Sequence, residues 1–141
     1  MHDPFAARHP PVTVMVMPPR EAYDYDLYMD RLADAWIVDA SLALRTLRMP
    51  FLAVRVGGSR SGGSYSVTCS CFGLKVVEVL RGRDGYPQLR LRYSPSDDSY
   101  VVEWGERSPT LWGQSDVTTM GLFYGYTDRA ISGLAQSPAT S

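Results

Sequence analysis

The stretch FLAVRVGGSRSGGSYSVTCSCF, residues 51–72, decides the predicted fold. Its two ends, residues 51–56 and 64–72, are rich in β-branched and aromatic residues and flank a glycine-rich segment, which is the pattern of a β-hairpin. A register that places Leu52 opposite Cys69 puts the apolar side chains of both runs on one face, because side chains alternate along a strand. The stretch therefore predicts an antiparallel hairpin.

The glycine-rich segment between the two runs, GGSRSGGS at residues 57–64, nearly matches the phosphate-binding pattern G-x-x-x-x-G-K-[ST]. Gly63 stands where that pattern requires a lysine to reach the phosphates, and a predicted strand follows where a helix is required. The segment is therefore predicted to be a mobile hairpin tip with Arg60 exposed. A loop that becomes ordered on an anionic or protein partner is the alternative. With Arg60 exposed, an Arg60→Ala change is expected to leave stability unchanged.

A second hairpin is predicted from residues 88–94 (QLRLRYS) and 99–105 (SYVVEWG). In the register that pairs Arg90 with Glu103, these two charges meet on one face and the apolar side chains of both runs share the other. One register explains every position, which favours the hairpin.

The other segments complete an alternation of strands and helices. A strand is predicted at 12–17, followed by a helix over 21–48 that breaks near 33–34 and ends before Pro50. A short helix is predicted over 73–82, with a strand as the alternative. The chain then ends with a possible strand at 120–126 and a closing helix over 127–136, for which Thr127 is the N-cap. The order β-α-α-β-β-α-β-β-(β)-α predicts an α+β fold: an antiparallel sheet built from two hairpins with helices packed on one face. Residues 12–136 are expected to form a single domain between flexible ends at 1–11 and 137–141.

The bulk composition is that of an ordinary globular domain. The chain has 141 residues, of which 45% are hydrophobic and 21% charged. No apolar run approaches the roughly 18 residues that cross a bilayer, and residues 1–20 lack the basic and apolar blocks of a signal peptide. We therefore expect a soluble, cytoplasmic protein with no membrane partner.

Charge is unevenly distributed, although the net charge is only −1. Residues 45–92 hold nine basic and two acidic groups, whereas residues 1–44 and 93–141 each carry a net charge of −4. A basic segment of this kind indicates either a partner or neutralisation by acidic helices of the same protein.

Candidate partner-binding residues lie in both charge classes. Asp26, Asp30 and Asp34 recur every four residues beside Tyr25. Like charges at that spacing repel, so their face is expected to be open to water, either as a docking face for a basic partner or as a plain solvated surface. Changing the three aspartates to serine is therefore expected to be neutral or mildly stabilising.

Arg60, Arg83 and Arg92 are the basic candidates for partner binding. In the run RGRDGYPQLRLRYS, residues 81–94, Arg81, Arg83, Arg90 and Arg92 lie close in sequence to Tyr86 and Tyr93, so this run could also hold single-stranded nucleic acid by charge and stacking. The basic segment thus indicates a protein partner or, as an alternative, a nucleic acid.

Metal, cofactor and catalytic sites are not predicted. Cys69 and Cys71 are expected on one side of a strand, about 6.6 Å apart. The histidines, His2 and His9, lie in the N-terminal segment, so the roughly four ligands of a zinc site are not assembled. A nucleophilic cysteine needs a nearby base, and the sequence offers none, so Cys69 is expected to be a buried thiol.

The segments LRMPFLAVRVGGSRSGG, LKVVEVLRGRDGYPQLRLRYS and FYGYTDRAISGL together resemble small proteins of unknown function from high-GC actinobacteria, over about residues 20–136. This resemblance implies no activity and no residue roles.

The sequence predicts a non-enzymatic binding or adaptor protein that acts through a protein partner, as a homodimer. One alternative is a small enzyme or carrier with an aromatic pocket lined by Trp36, Trp104 and Trp112. The other is nucleic-acid binding through residues 45–92.

Overall fold

A computed structural model describes residues 13–109 and 117–136 of the chain. Within these residues, two three-stranded antiparallel sheets and the helices around them form an α+β fold, which confirms the predicted class. The strands are β1 (Met15–Met17), β2 (Leu42–Arg45), β3 (Pro50–Ala53), β4 (Gly62–Val67), β5 (Arg90–Ser94) and β6 (Ser99–Gly105). The helices are α1 (Tyr25–Arg31), α2 (Trp36–Asp39), α3 (Ser70–Leu80), α4 (Val117–Phe123) and α5 (Asp128–Gln136), and a 3-10 turn at Pro19–Glu21 precedes α1. None of these helices is long and apolar enough to cross a membrane.

The first sheet has the order β1-β2-β3, with Ala43 of β2 opposite Met17 on one side and Leu52 on the other. Its central strand lies where the sequence predicted the second half of a long helix. The break after α1 is confirmed, but the chain leaves the helix after α2. Ser41 ends α2 by donating its hydroxyl to the carbonyl of Ile37. Pairing with two strands outweighs the helical preference of the leucines and alanine in β2.

The second sheet has the order β4-β6-β5. Glu103 of β6 lies opposite Arg90 of β5, which confirms the second predicted hairpin and its register. On the other side of β6, Glu103 lies opposite Ser64 of β4. These three side chains form one row across the sheet.

The first predicted hairpin is wrong. β3 belongs to the first sheet and β4 to the second, so the one predicted sheet becomes two. The sheets are joined where the indole of Trp104 donates a hydrogen bond of 3.0 Å to the carbonyl of Val54. Alternation predicted correctly that β4 buries one face, but β6 offers the same alternating apolar pattern, and β4 pairs with it instead.

Two buried clusters form the core. The first joins both sheets and α3: Leu44, Ala53, Tyr65, Val67, Val76, Leu80, Tyr86, Val102 and Trp104. The second lies between the first sheet and the N-terminal helices: Ala22, Leu32, Ile37, Val38, Ala43, Leu52 and Val54. The buried phenols are satisfied, because Tyr65 donates to the carbonyl of Leu44 (2.6 Å) and Tyr86 donates to that of Ala53 (2.5 Å).

α3 confirms the helix predicted over residues 73–82, but it begins earlier, at Ser70. Gly82 lies just beyond its C-terminus with a φ of +79°, a conformation that glycine adopts without steric cost. The early start removes Cys69 and Cys71 from the strand on which they were predicted. Cys69 becomes the N-cap residue, and Cys71 lies in the first turn.

At the C-terminal end, the possible strand at 120–126 is wrong, because its first residues belong to α4. The closing helix is confirmed as α5, and its predicted cap is present: the Thr127 hydroxyl accepts the N–H of Ala130 at 3.0 Å. A Cβ on Gly121 would overlap Ile131, so this glycine lets α4 and α5 pack closely. The predicted flexible ends at 1–11 and 137–141, and Trp112, lie outside the described residues.

Candidate functional site

Arg60 is not the exposed tip of a hairpin. Its side chain is only 5% exposed and lies between the rings of Tyr28 and Tyr124, with the guanidinium carbon 5.9 and 5.2 Å from the ring centroids. One terminal nitrogen donates to the carbonyl of Tyr124 at 3.1 Å, and burial lowers the pKa of the guanidinium. Arg60 is therefore buried rather than open to a partner, and it fastens its loop to α1 and to the residue that follows α4.

Asp34 holds the same glycine-rich loop from the other side. Its Oδ2 accepts hydrogen bonds from the backbone N–H (2.8 Å) and the hydroxyl (2.7 Å) of Ser59, and these two bonds lower the pKa of the carboxyl. Gly58, the neighbour of Ser59, has a φ of +51° and packs against this carboxylate. Asp34 therefore positions a loop and does not belong to an open docking face.

Changing Asp34 to alanine is expected to lower the melting temperature by a few degrees at pH 7, because the loop loses both bonds. The pKa of Asp34 is lower in the folded state than its ordinary value of 3.8, so its contribution is present above pH 3.8 and is lost as the pH falls through the folded pKa. The difference in melting temperature between the variant and the parent protein should therefore shrink below pH 3.8. Thermal unfolding followed by circular dichroism over a pH series measures it.

The matched control for this prediction is Asp26→Ala, which removes an exposed aspartate in the first turn of α1. The control should leave the melting temperature nearly unchanged. Equal losses in the two variants would contradict the role assigned to Asp34.

The remaining acidic candidates lie on or beside α1. The Tyr25 hydroxyl donates to Asp39 at 2.8 Å, and Asp30 lies 3.3 Å from the guanidinium of Arg129 on α5. Asp26 is exposed. Since α1 ends at Arg31, the spacing of four residues does not continue to Asp34 on one helix, so the structure does not bring the acidic candidates together into one site.

Three adjoining depressions, with volumes of about 860, 470 and 580 Å³, form a continuous groove. The groove begins at the loop between α3 and β5, follows the end of the second sheet, and finishes between the outer face of that sheet and α4. The first and second depressions share Gln88 and Leu89, and the second and third share Arg90 and Arg107. We call it the arginine groove after its six arginines: Arg55, Arg81, Arg83, Arg90, Arg92 and Arg107.

Three carboxylates also line the arginine groove: Asp84, Glu103 and Glu106. Glu103 lies 3.6 Å from the Nε atom of Arg90 and 3.3 Å from that of Arg92, and Asp84 lies 3.4 Å from Arg55. Six positive charges against three negative ones leave the groove with a net positive charge. Such a concave, positively charged surface attracts anions.

The aromatic residues predicted to stack nucleic-acid bases are not available in the arginine groove. Tyr86 is 4% exposed and belongs to the core. Tyr93 alternates with Arg92 along β5, so it faces the other side of the sheet, where its ring packs against Tyr100 at 5.3 Å. Tyr86 and Tyr124 are the aromatic residues that line the groove among those the structure describes, and only Tyr124 is more than marginally exposed there.

The predicted tryptophan-lined pocket is not formed by the two tryptophans in the described part of the chain. Trp36 is 54% exposed, whereas Trp104 is fully buried in the core. A separate apolar depression of about 650 Å³, lined by Leu47, Met49, Phe51 and others, lies where the β2–β3 turn approaches the end of β4. No group of three or more metal-ligating side chains occurs in residues 13–109 and 117–136.

Of the residues proposed from sequence, the structure places Arg83 and Arg92 in the arginine groove. Sequence reasoning missed Arg55 and Arg107 as members of the same surface. Arg107 follows β6 in a segment of net negative charge, so a count of charges along the chain could not find it. The register of the second hairpin was the available signal, because it places Arg90 and Arg92 on the outer face of the sheet.

No curated protein and no solved structure matches this chain significantly. A protein-family model described as a family of unknown function (DUF6302) matches residues 16–141, which is most of the chain. The protein therefore belongs to this family of unknown function, DUF6302.

Proposed function

We propose that this protein is a non-enzymatic binding or adaptor protein whose arginine groove receives an extended acidic segment of a protein partner. The observation that carries the proposal is the continuity of the groove together with its charge: six arginines and three carboxylates line three depressions that share residues. A continuous groove suits an extended chain better than a compact ligand.

Guanidinium groups support an acidic peptide as the ligand, because their planar fork matches a carboxylate with two parallel hydrogen bonds. Arg81, Arg83 and Arg107 are exposed, so their guanidinium groups can be reached from solvent. Asp84 and Glu106 lie among them and can accept hydrogen bonds from the amide groups of a peptide.

Charge does not distinguish the two ligands, because Asp84, Glu103 and Glu106 repel phosphates and peptide carboxylates alike. Single-stranded nucleic acids are held by stacking on aromatic platforms, but Tyr86 lines the groove with only 4% of its surface exposed, and Tyr93 packs against Tyr100 on the other face of the sheet. Nucleic-acid binding is therefore the second candidate, and the experiment below tests it directly.

We also propose that the protein works in the cytoplasm as a homodimer. Cys69 and Cys71 are unlinked thiols, and Cys71 is exposed, which suits a reducing compartment. β1 lies at the edge of its sheet with Met15 and Val16 exposed, and such an edge can pair with a second copy. Light scattering after gel filtration measures the oligomeric state, and a monomer at micromolar concentration would contradict the dimer.

Reversing three charges of the arginine groove should weaken binding of an acidic peptide by about tenfold or more. The variant is Arg83→Glu, Arg92→Glu and Arg107→Glu, and the probe is a fluorescein-labelled peptide of ten glutamates measured by fluorescence anisotropy. Binding by the parent protein should weaken as salt is added, because exposed charges are screened.

The matched control reverses the same number of charges outside the groove: Arg20→Glu, Arg48→Glu and Arg129→Glu. All three are exposed, so the control changes the net charge equally. Equal weakening by both variants would show that net charge alone attracts the peptide and would contradict the groove. If an oligothymidylate of matched charge bound more tightly than the peptide, the result would contradict a protein partner and support a nucleic acid.

A further inference from the structure

The apolar depression of about 650 Å³ is separate from the arginine groove, with which it shares no lining residue. Its first wall is the β2–β3 turn and the start of β3, and its second wall is the end of β4 and the β5–β6 turn. Pockets that hold small molecules have volumes of about 300–1,000 Å³. The depression is therefore large enough for a small ligand.

The first wall exposes apolar side chains to water. Leu47 is 63% exposed, Met49 44% and Phe51 42%, and all three line the depression. Such exposure is unfavourable, and apolar side chains gathered in one concave place mark a binding site more often than side chains scattered over a surface. A ligand with apolar groups would gain free energy by covering this wall.

Two opposite charges line the same depression without neutralising each other. Arg48 lies on the first wall and Asp97 on the second, and both are exposed. Neither forms an ion pair with any residue that the structure describes. The Ser99 hydroxyl donates a hydrogen bond of 2.7 Å to Asp97, and this bond, followed by one from Ser94, lowers the pKa of the carboxyl. The depression therefore offers a ligand one cation and one anion at neutral pH.

The second wall also provides partners for amide groups. β4 is an edge strand of its sheet, and the outer N–H and C=O groups of an edge strand can bond to an extended peptide. The hydroxyl residues Thr46, Ser66 and Thr68 line the depression as well. Its polar groups therefore suit a peptide better than a plain hydrocarbon.

We propose that this depression binds a short peptide with free ends and apolar side chains, of which a dipeptide is the smallest. The peptide carboxylate pairs with Arg48, its ammonium group pairs with Asp97, and its side chains cover the apolar wall. An extended dipeptide is about 7 Å long, so its two charges are held apart, as Arg48 and Asp97 are. In a free amino acid both charged groups are attached to one carbon atom.

The test is isothermal titration calorimetry of the full-length protein with leucylphenylalanine, for which we expect a Kd of about 0.1 mM or tighter. Two capped peptides each lack one charge: N-acetyl-leucylphenylalanine has no ammonium group, and leucylphenylalanine amide has no carboxylate. Each should bind about five- to tenfold more weakly than the free dipeptide. Glycylglycine, which has no apolar side chains, should show no measurable binding.

Variants of the two charged residues assign each end of the peptide. Arg48→Gln should weaken binding of the free dipeptide about five- to tenfold but leave binding of the amide unchanged, because the amide has no carboxylate to lose. Asp97→Asn should weaken the free dipeptide equally and leave the N-acetyl peptide unchanged. The matched controls, Arg20→Gln and Asp26→Asn, remove exposed charges outside the depression and should change no affinity. Circular dichroism verifies the fold of all four variants.

Equal affinities of the free and capped peptides would overturn the proposal, as would a variant that weakens the free and matching capped peptide alike. Binding of glycylglycine as tight as that of leucylphenylalanine, or no saturable binding of leucylphenylalanine, would also overturn it. The decaglutamate probe of the arginine groove has no apolar side chains and therefore does not report on this depression. The two proposals can thus fail independently.

Discussion

Replacing Arg60 by alanine is expected to lower the free energy of unfolding by about 2–4 kcal/mol. The side chain fills the space between the rings of Tyr28 and Tyr124, and its truncation leaves a cavity there. It also leaves the Tyr124 carbonyl without its guanidinium donor. Urea unfolding followed by tryptophan fluorescence measures the loss.

The Arg60→Met variant separates packing from charge. Methionine keeps a long unbranched side chain between the two rings but removes the guanidinium, whose buried Nε has no hydrogen-bond partner among the described residues. Removing a buried charge relieves its desolvation cost, so we expect a loss of only about 1 kcal/mol. If alanine changed stability by less than about 0.5 kcal/mol, as a surface substitution does, the buried position of Arg60 would be wrong.

Changing Gly63 to alanine is expected to destabilise the fold by about 3 kcal/mol or more, because the new methyl group overpacks the junction between the sheets. A Cβ at this position would lie 2.5 Å from the Trp104 indole nitrogen and 2.7 Å from the Val54 carbonyl oxygen. These two atoms form the hydrogen bond that joins the sheets, so the methyl group cannot be accommodated without breaking it.

Gly133→Ala is the matched control for this prediction. Gly133 lies on α5, and nothing lies within 4 Å of the position of its added Cβ. Alanine there should raise the free energy of unfolding by up to about 1 kcal/mol, through its better helix propensity. If Gly63→Ala were as harmless as this control, as expected for a glycine in a loose hairpin tip, then the pairing of β4 with β6 would be wrong.

Interactions between residues close in the chain were predictable from sequence. The Thr127 cap joins residues three positions apart, and the β5–β6 hairpin is closed by a turn of four residues, so its register follows from the chain that connects it. The break between α1 and α2 and the glycine after α3 are equally local, because each depends on the backbone preferences of a few neighbouring residues.

The arginine groove could be predicted only in part, for a different reason. Arg90 and Arg92 follow from the hairpin register, but Arg55 and Arg107 come from other parts of the chain. These four arginines come together because of the way the α3–β5 loop and α4 pack around the second sheet. The distribution of charge along the sequence carries no information about that packing.

By itself, the sequence determined the fold class, the second hairpin, the closing helix and the uneven distribution of charge, because these depend on composition and on neighbours along the chain. Only the tertiary structure decided the partner of β4, the burial of Arg60 and the place of Cys69 at a helix start. Alternation shows which side chains share a face of a strand, but several strands here carry the same pattern. The choice among them is made by packing, which favours the pairing that buries Trp104 and closes the core over it.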